Sequence, residues 1–111
     1  MGPRPDPVLL LHGQPGGAGD WDRVAAQLGA GIKAIAIDRP GWDGRTDPTD
    51  LPGNVRAAIT ALDRHGVERA TIVGHSLGAA VATWMAADHP QRVAALVLAS
   101  PAANAASLYA L

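Results

Sequence analysis

The segment Thr71-Ile-Val-Gly-His-Ser-Leu-Gly-Ala-Ala80 constrains what this chain can fold into more than any other stretch. An apolar run ends in a glycine-flanked serine, and a second apolar run with helical spacing follows at once, from Ser76 to about Asp88, stopping before Pro90. A strand that passes into a helix this abruptly must turn sharply, so residues two positions either side of the serine are crowded together. Gly74 and Gly78 carry no Cβ to clash there, and Ala79 and Ala80 let the helix lie close to the sheet. The Ser76 hydroxyl then stands at a helix N-terminus, where backbone N–H groups and the helix dipole favour developing negative charge. The plainer reading is a serine that merely caps a helix.

The rest of the chain repeats the same alternation. Short apolar runs at Val8–Leu11, Ile32–Ile37, Thr71–Val73 and Val93–Ala99 are each closely followed by Gly, Pro or Ser, as buried parallel strands tend to be. Between the first two, Asp20 to Leu28 has Trp21, Val24, Ala25 and Leu28 on one face, with Asp20 expected as N-cap. Between the next two, Leu51 to His65 places Val55, Ala58, Ile59 and Leu62 at helical steps, and Gly66 stops it. The pattern predicts an α/β fold: a parallel sheet of about four strands with helices on both faces. All 111 residues form one domain, with no repeat; the Ala-rich tail Pro101–Leu111 has no assigned state.

Two loops bear on chemistry. Leu9-Leu-Leu-His-Gly-Gln-Pro-Gly16 is a strand that ends in a Gly/Pro-rich loop, able to supply an N–H donor to an oxyanion. It could equally be an ordinary strand-to-helix turn. A phosphate-binding loop is excluded, because no Lys-Ser/Thr follows the glycines and G-x-G-x-x-G is not met. Ala36-Ile-Asp-Arg-Pro-Gly-Trp-Asp-Gly44 is a strand and turn, with an internal Asp38–Arg39 interaction expected.

Taken together, H-G-x-P-G, D-R-P-G and G-H-S-L-G at these intervals resemble the α/β-hydrolase fold superfamily, over nearly the whole chain from Val8 to about Ser100. The resemblance implies that the four strands match the third to sixth of that family's eight, in spatial order second, first, third, fourth for this chain. The ends of the first and third strands then adjoin at a topological switch point, where clefts form. By the same resemblance Ser76 is the nucleophile, and the backbone N–H groups of Gln14 and Leu77 form the oxyanion hole. His12, Gly13, Gly74, His75 and Gly78 are motif or structural positions, and Trp42 and the Gln14 side chain line the pocket. No metal or cofactor is implied.

The chain also departs from the family. A serine nucleophile needs a base, and the base an orienting carboxylate, which in this family follow the serine. After Ser76 come only Asp88 and His89, about 12 residues and ~18 Å away along a helix. His65 precedes the strand leading to Ser76 and belongs at the opposite edge of the sheet. Two residues separate Gly41 from Gly44, where the family usually has one. The two strands placed outermost, Ile32–Ile37 and Val93–Ala99, read as interior strands, with Lys33 their one charge and no Pro. The chain is therefore expected to be a partial α/β-hydrolase domain, a fragment with little activity alone.

Composition narrows the partners. Net charge is −1 with acids and bases interspersed, which speaks against nucleic acid or an anionic membrane surface. With no cysteine, disulfides and thiolate chemistry are excluded within the chain. No signal-peptide core or membrane-spanning run is present, so a cytoplasmic protein is expected. The leading expectation is a serine hydrolase acting on a small-molecule ester or similar acyl bond through an acyl-enzyme. The alternative is a non-catalytic binding or interaction module on the same fold, and cofactor-free oxidative chemistry shares every motif. Either a homo-oligomer or the missing C-terminal half is expected to cover the exposed strand edges.

Overall fold

The computed structural model describes residues 4–100. The sheet has strands β1 (Val8–Leu11), β2 (Ala34–Ile37), β3 (Ala70–His75) and β4 (Val93–Ala99), all parallel and ordered β2-β1-β3-β4. Helices α1 (Asp22–Gln27), α2 (Leu51–Arg64) and α3 (Leu77–Asp88) make the crossovers. The expected α/β class and strand order both hold.

β1 lies at the centre and is buried along its whole length. Its side chains alternate between two cores, as the strand period of two requires. Leu9 and Leu11 pack with Ile35, Ile72, Val55 and Leu62 of α2, and Val81 and Met85 of α3. Val8 and Leu10 pack on the other face with Trp21, Ala25, Leu28 and Val73. Each fully buried aliphatic side chain here stabilises the fold by about 1.5–3 kcal/mol relative to exposure.

Boundaries differ from expectation in places with physical causes. β2 begins at Ala34 rather than Ile32, because the Ile32 N–H is tied into a turn with the Gly29 carbonyl (3.3 Å). β3 runs from Ala70 through His75, since pairing with β4 carries it beyond the apolar run. A 3₁₀ turn over Ala18–Trp21 precedes α1, so Asp20 is not the N-cap of α1. Its Oδ2 instead accepts the Gly17 N–H at 3.2 Å. Val24, expected on the buried face, is 41% exposed. α2 has Asp50 as its N-cap, accepting the Gly53 N–H at 2.8 Å, and ends before Gly66 at φ 66°.

The two outer strands are not alike. β2 keeps Ile35 buried against α2, whereas Leu96, Val97 and Leu98 of β4 are 37%, 50% and 40% exposed. The apolar tail Pro101–Leu111 lies outside the described residues.

Candidate active site

Register brings the two loops together. Leu11 at the end of β1 pairs with Gly74 of β3, so His12 and Gly13 emerge beside His75 and Ser76. The approach is close: a Cβ on Gly13 would lie 3.1 Å from the Ser76 Cβ and 3.0 Å from the His75 Nδ1.

Ser76 sits at φ 55° and ψ −115°, a backbone conformation that side-chain-bearing residues adopt only where their surroundings enforce it. The enforcement is visible on both sides. Its N–H donates to the Ala99 carbonyl of β4 at 3.0 Å, and its carbonyl accepts the Ala79 N–H at 3.0 Å. Ser76 occupies the N-cap position of α3, yet its side chain makes no capping hydrogen bond. The plain capping reading is therefore not what holds it there.

Both flanking glycines are required by backbone contact. A Cβ on Gly74 would fall 2.6 Å from the Ala79 nitrogen, and one on Gly78 would fall 2.7 Å from the Leu11 carbonyl carbon and 2.8 Å from the His12 oxygen. Main chain cannot swing aside as a side chain can. Gly78→Ala is expected to destabilise the chain by about 2–3 kcal/mol through overpacking, read as a lowered urea midpoint. A change under 0.5 kcal/mol would show that α3 can move off β1 freely.

Gln14 and Leu77 lie on either side of the turn. Neither backbone N–H has an acceptor among the described residues, and both residues line one cavity of about 380 Å³. One of these two N–H groups, that of Leu77, stands at the N-terminus of α3. Trp42 reaches the same cavity, where its Nε1–H donates to the Gln14 Oε1 at 3.2 Å. The indole also meets the His12 ring edge-on, with centroids 6.4 Å apart.

Beneath the Gln14 loop lies a feature that the motifs did not disclose. The buried polar residues among those described are His12, Arg39 and Asn54, and they form one network. Arg39 is 1% exposed. Its Nε donates to the His12 carbonyl at 2.9 Å and its Nη1 to the Asn54 Oδ1 at 2.9 Å, with a longer contact of 3.5 Å from Nη2 to the Gly13 carbonyl. The expected Asp38–Arg39 interaction is absent, because Asp38 Oδ1 accepts the Ala18 N–H at 2.7 Å while Arg39 turns inward. Burial lowers the Arg39 pKa to about 10, which leaves it charged at neutral pH. A polar Asn54 one helical turn before Ala58, on the buried face of α2, was the sequence signal for this site.

His12 is a bridge within that network. Its Nε2 accepts the Arg39 backbone N–H at 2.9 Å, which leaves Nδ1–H to donate to the Gly13 carbonyl at 2.7 Å. The ring is thus neutral and saturated, and it is no base for Ser76. Burial chiefly holds its pKa below 6.5. The folded state therefore resists a proton that the unfolded chain accepts, so stability is full above pH 6.5 and declines as pH falls below it. A urea midpoint that falls between pH 7.5 and 5.5, and falls less in His12→Asn, is the expected result.

The remaining histidines stand apart. His65 caps the end of α2, where its carbonyl accepts from Lys33 Nζ at 3.0 Å, and His89 caps the far end of α3 beside Asp88. His75 is exposed beside Ser76. Among the described residues none hydrogen-bonds the Ser76 hydroxyl, and no cluster of three or more His, Cys, Asp or Glu could hold a metal ion. The two-residue spacing of the Gly41–Gly44 loop is accommodated by Asp43. Its carboxylate accepts the Thr46 and Arg45 N–H groups at 2.8 and 2.9 Å, which hold its pKa down at about 2. No helix among the described residues is long and apolar enough to cross a membrane.

A parallel sheet flanked by helices, with a strained serine between β3 and α3 and a glycine loop beside it, defines a class of α/β hydrolase-like folds. The chain belongs to the alpha/beta hydrolase fold family, whose model matches residues 6–110. Its relatives include a 2-hydroxy-6-oxo-6-phenylhexa-2,4-dienoate hydrolase of Comamonas testosteroni, 34% identical over 93% of this chain and 39% of that protein. A 2-hydroxy-6-oxononadienedioate/2-hydroxy-6-oxononatrienedioate hydrolase of Paraburkholderia phymatum is 39% identical over 82% of this chain and 34% of that protein. Among solved structures, a hydrolase from Pseudomonas aeruginosa superposes with a TM-score of 0.81 at 28% identity, covering 95% of this chain and 42% of that one. The chain thus spans well under half the length of the proteins it matches.

Proposed function

We propose that Ser76 is the nucleophile of a serine hydrolase that cleaves an ester or similar acyl bond of a small molecule through an acyl-enzyme. The observation that carries this reading is the strained backbone of Ser76, held at φ 55° without a capping role and set against the Gln14 loop. In the proposed mechanism the Ser76 oxygen attacks the carbonyl carbon. The N–H groups of Gln14 and Leu77 receive the oxyanion, and the alcohol or amine leaves with a proton from the general acid. Relatives named as hydrolases and a structural neighbour named an esterase, 27% identical with a TM-score of 0.78, support the reaction class.

The base and its carboxylate lie outside residues 4–100 in this reading, because no histidine among them reaches Ser76. The same observation supports the second reading, a non-catalytic module on this fold. Turnover of p-nitrophenyl butyrate separates the two. The protein as its own gene produces it, whatever its length, is expected to show saturable hydrolysis, and the 111-residue chain alone a rate near the background. No turnover of any ester, amide or thioester by the gene's product would favour the non-catalytic module. Brisk turnover by the chain alone would place the base within it.

A further inference from the structure

We propose that Trp42 fixes the Gln14 side chain so that its amide N–H₂ group receives an uncharged oxygen acceptor on the acyl portion of the substrate. This inference rests on the proposed function of the site but concerns a different group, since the oxyanion donor is the Gln14 backbone.

The geometry of one hydrogen bond decides which end of the amide is free. An indole N–H is a donor only, so the Gln14 atom 3.2 Å from Trp42 Nε1 must be the carbonyl oxygen. The amide nitrogen, with two N–H donors, is thereby aimed away from the indole, and it has no acceptor among the described residues. The indole meets the buried His12 ring edge-on, and the Trp42 backbone N–H donates to the Arg39 carbonyl at 2.8 Å, which fixes the main chain that carries it. A held indole holds the amide in turn, which removes rotamer freedom that a free glutamine would lose on binding.

The cavity that Gln14 lines is also lined by Trp42, Thr49, Asp50, Leu51 and Leu77. Its charged lining residue is Asp50, an anion, and no cation lines it. Arg39 lies below but is buried and already engaged with His12, Gly13 and Asn54. A carboxylate on the acyl chain would therefore meet a like charge without a counter-ion, whereas a ketone or ether oxygen meets a waiting donor.

The test is amide NMR on the ¹⁵N-labelled Ser76→Ala form of the protein as its gene produces it, following the Gln14 side-chain N–H₂ and Trp42 Nε1–H signals. The probes are methyl 4-oxopentanoate, methyl pentanoate and monomethyl succinate. The keto ester is expected to move the Gln14 side-chain signals saturably and to bind about fivefold tighter than the plain ester, the worth of one neutral hydrogen bond. Trp42→Phe keeps the ring and removes the donor, and it should shrink that preference to about twofold or less. Gln14→Leu, followed through the Leu77 backbone signal, should abolish it. Equal shifts with both uncharged esters, no shift with either, succinate binding as tightly as the keto ester, or a preference untouched in both variants would overturn the proposal. Binding is read without turnover, so these results leave the assignment of Ser76 standing, while inertness of Ser76 towards acylating reagents would not alter them.

Discussion

Replacing Ser76 by alanine is expected to lower kcat of the gene's full product towards esters by about 10³-fold or more, leaving the fold intact. The loss is large because the attacking oxygen disappears, while the Gln14 and Leu77 N–H donors remain to bind the carbonyl. KM should change little. Stability gives a second and opposite readout. Alanine keeps the strained backbone of residue 76, so its urea midpoint should match that of the parent chain. Ser76→Gly relieves the positive φ and should stabilise by about 1 kcal/mol. Activity lost together with stability gained would identify strain stored for chemistry. Equal loss of both would mean that the hydroxyl serves the fold.

Arg39→Met carries the largest expected effect on stability, about 3–5 kcal/mol. The flexible apolar chain fills most of the volume but leaves the His12 carbonyl and the Asn54 Oδ1 buried without their donors. Domains of this size have only about 5–15 kcal/mol in total, so much of the population should unfold at 37 °C. Arg39→Lys should recover part of the loss, since one ammonium cannot serve acceptors spread around a planar fork. A Met variant within 1 kcal/mol of the parent would show that the network is dispensable.

The effect on the site follows from peptide geometry. The Gly13 carbonyl, held by His12 Nδ1–H, belongs to the same rigid peptide unit as the Gln14 N–H. Fixing one end of that unit aims the other, so Arg39 and His12 act on the proposed oxyanion hole without touching substrate.

Much of this was legible in the residues. Val8–Leu11 and Val93–Ala99 came out as strands with the expected limits, because continuous apolar runs bounded by turn residues have few alternatives. The nearness of the Gln14 loop to Ser76 was implied by the resemblance, whose strand order sets β1 beside β3, and the pairing of Leu11 with Gly74 agrees with it. Limits set by tertiary pairing were not legible: β3 reaches His75 only because β4 lies beside it. Arg39 departs from the local expectation for a related reason. Its neighbour Asp38 offered a local partner, and the acceptors that hold Arg39 come from His12 and Asn54, distant in the chain. Likewise Asp20 looked like a helix cap, and only the intervening 3₁₀ turn redirects it to Gly17.

The most direct measurement of the central claim is mass spectrometry of the protein, as its gene produces it, after exposure to a fluorophosphonate. The account predicts one adduct per chain, on the peptide containing Ser76, and none in Ser76→Ala. An adduct on another residue, or ester turnover with Ser76 unmodified, would contradict it.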